Sequence, residues 1–158
     1  MSIERPIEIR ILGADDGGIL AIVAEDVFDG PVNTQLVSDF LTDPRHHLAV
    51  AIEEDQVVGM ASGVHYIHPD KSPELWINEV GVASTHRGRG LGKRLLAALL
   101  DLGATLGCRE AWVLTEKENA AARRLYSSSG GVKDGDGTEL YTFQLGRERS
   151  LGSSLASE

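Results

Sequence analysis

Apolar and polar residues alternate over residues 7–12, Ile-Glu-Ile-Arg-Ile-Leu, which is the period of a strand with one buried face. Asp15 and Asp16 offer N-caps for a helix reaching about Phe28, and Asp29-Gly30-Pro31 ends it with turn chemistry. Asn33 caps a second, short helix carrying Leu36, Val37, Phe40 and Leu41, which Asp43-Pro44 closes. Residues 47–53 and 57–67 read as a hairpin around a tight turn at Glu54-Asp55-Gln56, with Gly59 and Gly63 marking bends or bulges. Residues 75–83 form a further apolar strand. Leucines at 91, 95, 99, 102 and 106 recur at helical spacing, and Leu96 and Leu100 broaden the stripe, so residues 91–106 predict a helix packed on a sheet. Gly107 is its C-cap residue. A strand over 111–115 follows, then a helix begun by Glu116-Lys117-Glu118-Asn119 that runs to about Tyr126 and stops in Ser127-Ser128-Ser129-Gly130-Gly131. Residues 131–133 and 139–145, joined by Asp134-Gly135-Asp136-Gly137, are the expected last strand pair. Beyond Gly146 the chain is polar and without period. The pattern predicts one α+β domain over residues 1–145 and a disordered tail over 146–158.

Composition changes that picture little. At 158 residues, 42% hydrophobic and 25% charged, the chain suits a single soluble domain. No run approaches the ~18 apolar residues of a membrane span, and the N-terminus lacks a signal-peptide core, so no membrane partner and a cytoplasmic location are expected. The one cysteine, Cys108, excludes an internal disulfide and a cysteine-rich zinc site, and reads as a small buried residue leading into a strand. His46, His47, His65 and His68 fall in strand and loop, with no helical i, i+4 pair beside an acidic ligand, so no metal is predicted. The formal net charge of -9 argues against nucleic acid and favours a cationic partner.

One segment runs against the charge trend. Between the strand over 75–83 and the long helix lie Gly88, Gly90 and Gly92, with Arg87, Arg89, Lys93 and Arg94 among and after them. A glycine-rich turn opening a helix lets a ligand approach backbone N–H groups backed by the helix dipole, which is an anion site. A nucleoside triphosphate loop is excluded, because Arg87 stands where its first glycine belongs and Arg94 where its hydroxyl belongs. A dinucleotide fingerprint is excluded as well, since its third glycine would fall on Lys93 or Leu95. In the strand before the turn, Glu79 interrupts apolar residues, where burying an unpaired carboxylate is costly, and Gly81 suggests a bulge or a close backbone approach. Plain alternation places Asn78, Val80 and Val82 on one face and Ile77, Glu79 and Gly81 on the other, a phase that a bulge would shift.

The arrangement that fits is Arg-x-x-Gly-x-Gly over residues 87–92, preceded by Val80-x-Val82. It resembles the acetyl-CoA pyrophosphate loop of the GNAT superfamily of N-acetyltransferases. Asn119-x-x-Ala122-x-x-Leu125-Tyr126 resembles the helix that follows the next strand in that family. The resemblance implies a mixed α/β arrangement: a mostly antiparallel central sheet, splayed between its fourth and fifth strands and flanked by helices. It implies acetyl-CoA as cosubstrate, with Val80, Gly81 and Val82 along the pantetheine arm. Arg87, Gly88, Arg89, Gly90, Leu91, Gly92 and Lys93 would surround the pyrophosphate, with Asn119 near the coenzyme or simply capping its helix. Glu79 is the implied base and Tyr126 the implied acid; their competing readings are a structural or substrate-binding carboxylate and a packing aromatic.

The order of elements and Trp-Ile-Asn-Glu-Val-Gly-Val over 76–82 look similar to GNAT aminoglycoside acetyltransferases, particularly those acting on a 3-amino group. Glu79, Glu116 and Glu118 would then meet a small polycationic amine, and Glu25, Asp26, Asp29 and Asp39 fall where the family builds its acceptor wall. A protein N-terminal or lysine acetyltransferase, a polyamine acetyltransferase and a non-catalytic acyl-CoA sensor share these motifs, and a homodimer is among the assemblies the resemblance allows. Two departures stand out: Ser129-Gly130-Gly131 lacks the family's common aromatic, and Ser84 replaces a frequent proline.

Overall fold

The computed structural model describes residues 3–135, 137 and 139–146. Five strands form one sheet in sequence order: β1 (Glu8–Ile11), β2 (His46–Glu53), β3 (Gln56–Tyr66), β4 (Glu74–Val82) and β5 (Glu110–Val113). The first three neighbour pairs are antiparallel and β4–β5 is parallel. The expected mixed, mostly antiparallel sheet is what forms. Three helices accompany it: α1 (Thr34–Thr42), α2 (Leu91–Thr105) and α3 (Ala120–Ser128). No helix among the described residues is long and apolar enough to cross a membrane.

Helix α2 organises the core. Leu91, Leu95, Leu96 and Leu99 are all buried, as the stripe predicts, with no exposed surface at Leu95 and Leu99. Leu102 is only partly buried and Leu106, already the C-cap, is 37% exposed, which corrects the far end of the stripe. Burying one such leucine is worth about 1.5–3 kcal/mol. They pack on Val50, Val57, Val58 and Ala61 of the sheet, while Leu96 joins Leu75 and Ile77 in a second, smaller cluster. Gly103 lets α2 approach β4, since a Cβ there would lie 2.9 Å from Leu75 Cδ2. Gly107, at φ 89°, turns the chain out of the helix. Cys108 follows half-buried against the smaller cluster, and burial pushes its thiol up.

The β2–β3 turn has positive φ at both Glu54 and Asp55, the geometry of a two-residue hairpin matched to strand twist. Register shifts fall between Ala51 and Ile52 and between Ser62 and Gly63, beside the two glycines expected to mark them.

Two expected elements are corrected. The helix predicted from Asp15 to Phe28 is only a 3-10 turn, Gly17–Ala21. Two adjacent glycines cost a helix too much backbone entropy there, and Ile22–Ala24 instead hydrogen-bonds along β3 through Val57. The last strand pair, 131–133 and 139–145, is not formed among the described residues. Tyr141, Phe143 and Leu145 keep a strand's alternation but stand exposed. Period-two patterning does not make a strand without a partner edge. The tail expected beyond Gly146 lies outside the described residues, as do Asp136 and Thr138 of the predicted turn.

Candidate active site

β4 and β5 are paired only over Glu74–Ile77 and Glu110–Val113. β5 then ends and β4 runs on to Val82, so the two part and leave one edge of β4 facing a gap. The register explains which side chains face where. Ser62 pairs with Glu79 and Gly63 with Ile77, which leaves Asn78 as an extra, bulged residue. The phase slips accordingly: Ile77 and Val80 both pack toward the Leu75–Leu96 cluster. Trp76 and Glu79 are cross-strand partners of Val64 and Ser62, which share one face of β3 where that strand is regular. Trp76, Glu79 and Gly81 therefore occupy the face opposite α2, which replaces the plain alternation expected.

Gly81 is the close backbone approach the sequence anticipated. A Cβ there would sit 2.1 Å from the carbonyl oxygen of Val27, so the chain after the 3-10 turn crosses directly over it. Between that turn and α1 opens a cleft of about 960 Å³, lined by Glu25, Asp26, Phe28, Val37 and Leu41 among others. Of the acidic candidates in this region, Glu25 and Asp26 reach the cleft, whereas Asp39 accepts a hydrogen bond from Gln35 Nε2 at 2.9 Å.

The turn that follows β4 divides its glycines by task. Gly88 and Gly90 have φ of 78° and 75° with nothing within 4 Å of an added Cβ, so they serve the left-handed turn and open onto free space. Gly92 has ordinary φ, and an added Cβ would meet Leu125 of α3 at 3.4 Å, an ordinary contact, so this position lies at the junction of α2 and α3 and does not require glycine. Gly90 is the N-cap residue and supplies no side-chain cap. The ladder of α2 begins with Arg94 N–H on the Gly90 carbonyl at 3.2 Å, which leaves the N–H groups of Leu91, Gly92 and Lys93 ahead of it. These face the open space with the positive end of the helix behind them. The four cations divide likewise. Arg87 Nε donates to the Val82 carbonyl at 3.2 Å, and Arg94 Nη2 donates to the Ile7 carbonyl at 3.0 Å, away toward β1. Arg89 and Lys93 stay exposed beside the turn.

A brace the sequence did not reveal holds this turn. His86 Nε2 lies 2.7 Å from Glu53 Oε2, and Thr85 Oγ1 lies 2.8 Å from His86 Nδ1. The hydrogen bond from His86 is the main reason the Glu53 carboxyl is held below its ordinary range. The partners are 33 residues apart, and neither sits in a recognisable motif.

The other predicted residues are placed as follows. Glu79 is exposed, which corrects the expectation of a buried carboxylate, so no burial cost has to be justified. Tyr126 is half-buried on α3 against Leu75, Ile77 and Leu96, and burial raises its phenol. The sheet thus sets Glu79 and Tyr126 on opposite faces around the same gap. Asn119 caps α3, its Oδ1 accepting from Ala122 N–H at 3.0 Å. Glu116 and Glu118 are exposed in the link from β5 to α3, where their carbonyls accept from Asn119 and Ala120 N–H. That link is a turn, and the helix begins only at Ala120. Among the described residues no group of His, Cys, Asp and Glu side chains is placed to hold a metal ion.

A sheet that parts beside a glycine-gated helix N-terminus is the arrangement of the acetyl-CoA-dependent N-acetyltransferases. The chain belongs to the GNAT acetyltransferase family, whose model matches residues 20–130. It is 31% identical over 100 residues to the uncharacterized N-acetyltransferase YycN of Bacillus subtilis strain 168, covering 63% of this chain and 64% of that one. Over 61 residues it is 41% identical to the L-2,4-diaminobutyric acid acetyltransferase of Oceanobacillus iheyensis, covering 39% of this chain and 33% of the relative. The chain thus spans less than two thirds of either relative's length.

In fold it is similar to an aminoglycoside acetyltransferase from an uncultured soil metagenomic sample, solved in complex with sisomicin. The TM-score is 0.72 at 17% identity, over 88% of this chain and 97% of that one. It is also similar to the aminoglycoside N-acetyltransferase AAC(6')-Iy in complex with CoA, with a TM-score of 0.68 at 21% identity over 93% and 99% of the two chains. At such identities the likeness is one of fold.

Proposed function

We propose that the protein transfers acetyl from acetyl-CoA to a primary amine of a small polycationic acceptor, best matched by an aminoglycoside. The observation that carries this reading is the parted β4 edge leading into the uncapped N-terminus of α2, with an exposed carboxylate, Glu79, on the free face of the same gap. The backbone of Val80, Gly81 and Val82 offers amide partners along the gap. Gly88, Gly90, Leu91, Gly92 and Lys93 offer N–H groups and open space for a pyrophosphate, with Arg89 and Lys93 as exposed cations and Arg87 steadying the turn. Asn119 acts through the cap that positions α3.

The amine approaches from the face bearing Glu79, and Glu79 takes its proton directly or through a water. The nitrogen lone pair attacks the thioester carbonyl, the C–S bond breaks, and the thiolate takes up a proton. Tyr126 is the donor on the other face, and its raised phenol keeps that proton at neutral pH. Glu116 and Glu118, together with Glu25 and Asp26 of the cleft, add negative charge for a multivalent amine, in keeping with the net charge of -9. Likeness to diaminobutyric acid acetyltransferases favours a second reading, a small diamine.

Free-thiol release from acetyl-CoA, followed against gentamicin, spermidine, L-2,4-diaminobutyrate and a peptide N-terminus, tests the assignment. The aminoglycoside is expected to give the highest kcat/KM, with KM rising with salt. Efficient acetylation of the peptide with no thiol released by gentamicin would overturn it.

A further inference from the structure

The protein's two tryptophans stand together. Trp76 on β4 and Trp112 on β5 are cross-strand partners, with ring centroids 5.0 Å apart and planes 11° from parallel. The next pair, Ile77 and Val113, is the last before the strands part, so the indoles border the gap on the face that carries Glu79. Trp76 is 36% exposed, a large aromatic left open to solvent.

The pair is also held in place. Trp112 Nε1 donates to the Tyr66 hydroxyl at 3.1 Å, and that hydroxyl donates to Glu74 Oε2 at 3.0 Å. His68 Nε2 meets the same carboxylate oxygen at 3.1 Å, and Lys71 Nζ stands 3.9 Å from the other. Glu74 is therefore committed to its own partners. The carboxylates left to a ligand on this face are Glu79 and Glu110, the latter being the exposed cross-strand partner of Glu74. A fixed, solvent-facing aromatic surface between two exposed carboxylates attracts an ammonium through the ring quadrupole and through charge.

An acceptor with two amines needs two environments. The reacting nitrogen must lose its proton in the gap, whereas the other stays protonated and requires a partner outside it. We infer that the Trp76–Trp112 pair receives a non-reacting ammonium of a di- or polyamine acceptor, which makes Trp76 a specificity-determining residue. The inference rests on the amine-acetyltransferase reading and adds to it a requirement for a second cation, so monoamines are poor acceptors.

Because both tryptophans lie in one stack, intrinsic tryptophan fluorescence reads this site without turnover. Spermidine, neamine and L-2,4-diaminobutyrate are titrated against n-butylamine at equal ionic strength. A saturable change is expected with at least one of the three and none with butylamine. In steady state, Trp76→Ala raises KM for the responding amine about tenfold while kcat and the KM of acetyl-CoA move by less than about twofold. Trp76→Phe keeps a π-face and restores most of the loss, and Trp76→Leu does not. A flat titration with all three amines, or a wild-type KM in Trp76→Leu, overturns the inference. Thiol release with flat fluorescence leaves the enzyme reading standing and removes the platform. Fluorescence response without thiol release from any amine removes the enzyme reading and leaves the cation site.

Discussion

The two walls of the gap are built differently. β4 has nine residues, pairs with β3 along nearly its whole length, and packs Leu75 and Ile77 under α2. β5 has four residues, stands at the sheet edge, and is followed by α3, in which no residue is fully buried. The first wall carries the unpaired β4 edge, the proposed coenzyme side, and Glu79; the second carries Tyr126, Asn119, Glu116 and Glu118. Glu79 is thus exposed on a strand backed by dense apolar burial, whereas the second wall is thinly buried and local opening there costs little. Each wall can be perturbed separately.

Leu75→Ala, in the fully buried part of the first wall, should lower global stability by about 2–5 kcal/mol, read from denaturant midpoints. Leu125→Ala, in the second wall, should cost clearly less, and equal losses would erase the contrast. Next in size, Glu79→Gln should lower kcat/KM by on the order of a hundredfold, about 2.7 kcal/mol, if the fixed wall supplies the base. Tyr126→Phe should lower kcat alone with coenzyme affinity kept. A near-normal kcat in Glu79→Gln on the true acceptor would remove the base assignment.

A third test uses pH on the dense side. His47 is buried, with Nε2 2.7 Å from His65 Nδ1, a contact that needs one ring to donate and the other to accept. Burial first, then the neighbouring His65, brings its pKa down to about 4, against about 6.5 for an unfolded histidine. The unfolded chain binds the extra proton between those values. Stability from this group is thus complete above about pH 6.5 and is lost as pH falls toward about 4, on the order of 2 kcal/mol. His47→Leu should flatten the dependence in that window; an unchanged slope would assign it to other groups. Smallest is Asn119→Ala, which removes the cap on α3 at a cost of about 1 kcal/mol. Hydrogen exchange should show the loss confined to α3 amides, and a loss spread through β4 would mean that the two walls unfold as one.

What the sequence made legible follows the same division. The hairpin turn at Glu54-Asp55, the bulges near Gly59 and Gly63, the leucine stripe and the glycine turn are local patterns whose physics lies within a few residues, and each appears in the structure. Misread elements depend on partners elsewhere in the chain. Residues 15–28 have a usable cap, yet Gly17-Gly18 and the hydrogen bonds to Val57 take the segment out of helix. The alternation over 139–145 carries no information about whether an edge will pair with it. Glu79 reads as buried only if β4 is assumed regular and covered; the Asn78 bulge and the open face decide otherwise. The Glu53–His86 brace and the stacking of Trp76 on Trp112 join residues too far apart for spacing to reveal.

Cys108 has a practical consequence for the chemistry of detection. Acetyl transfer liberates one thiol per turnover, and an aromatic disulfide reagent counts it by reacting with thiolate. The protein brings only one thiol of its own. That thiol is half-buried at the end of α2 and held in its protonated form by burial, so it is a poor nucleophile at neutral pH. That background is bounded at one equivalent per chain, and acceptor-dependent thiol beyond that stoichiometry is turnover.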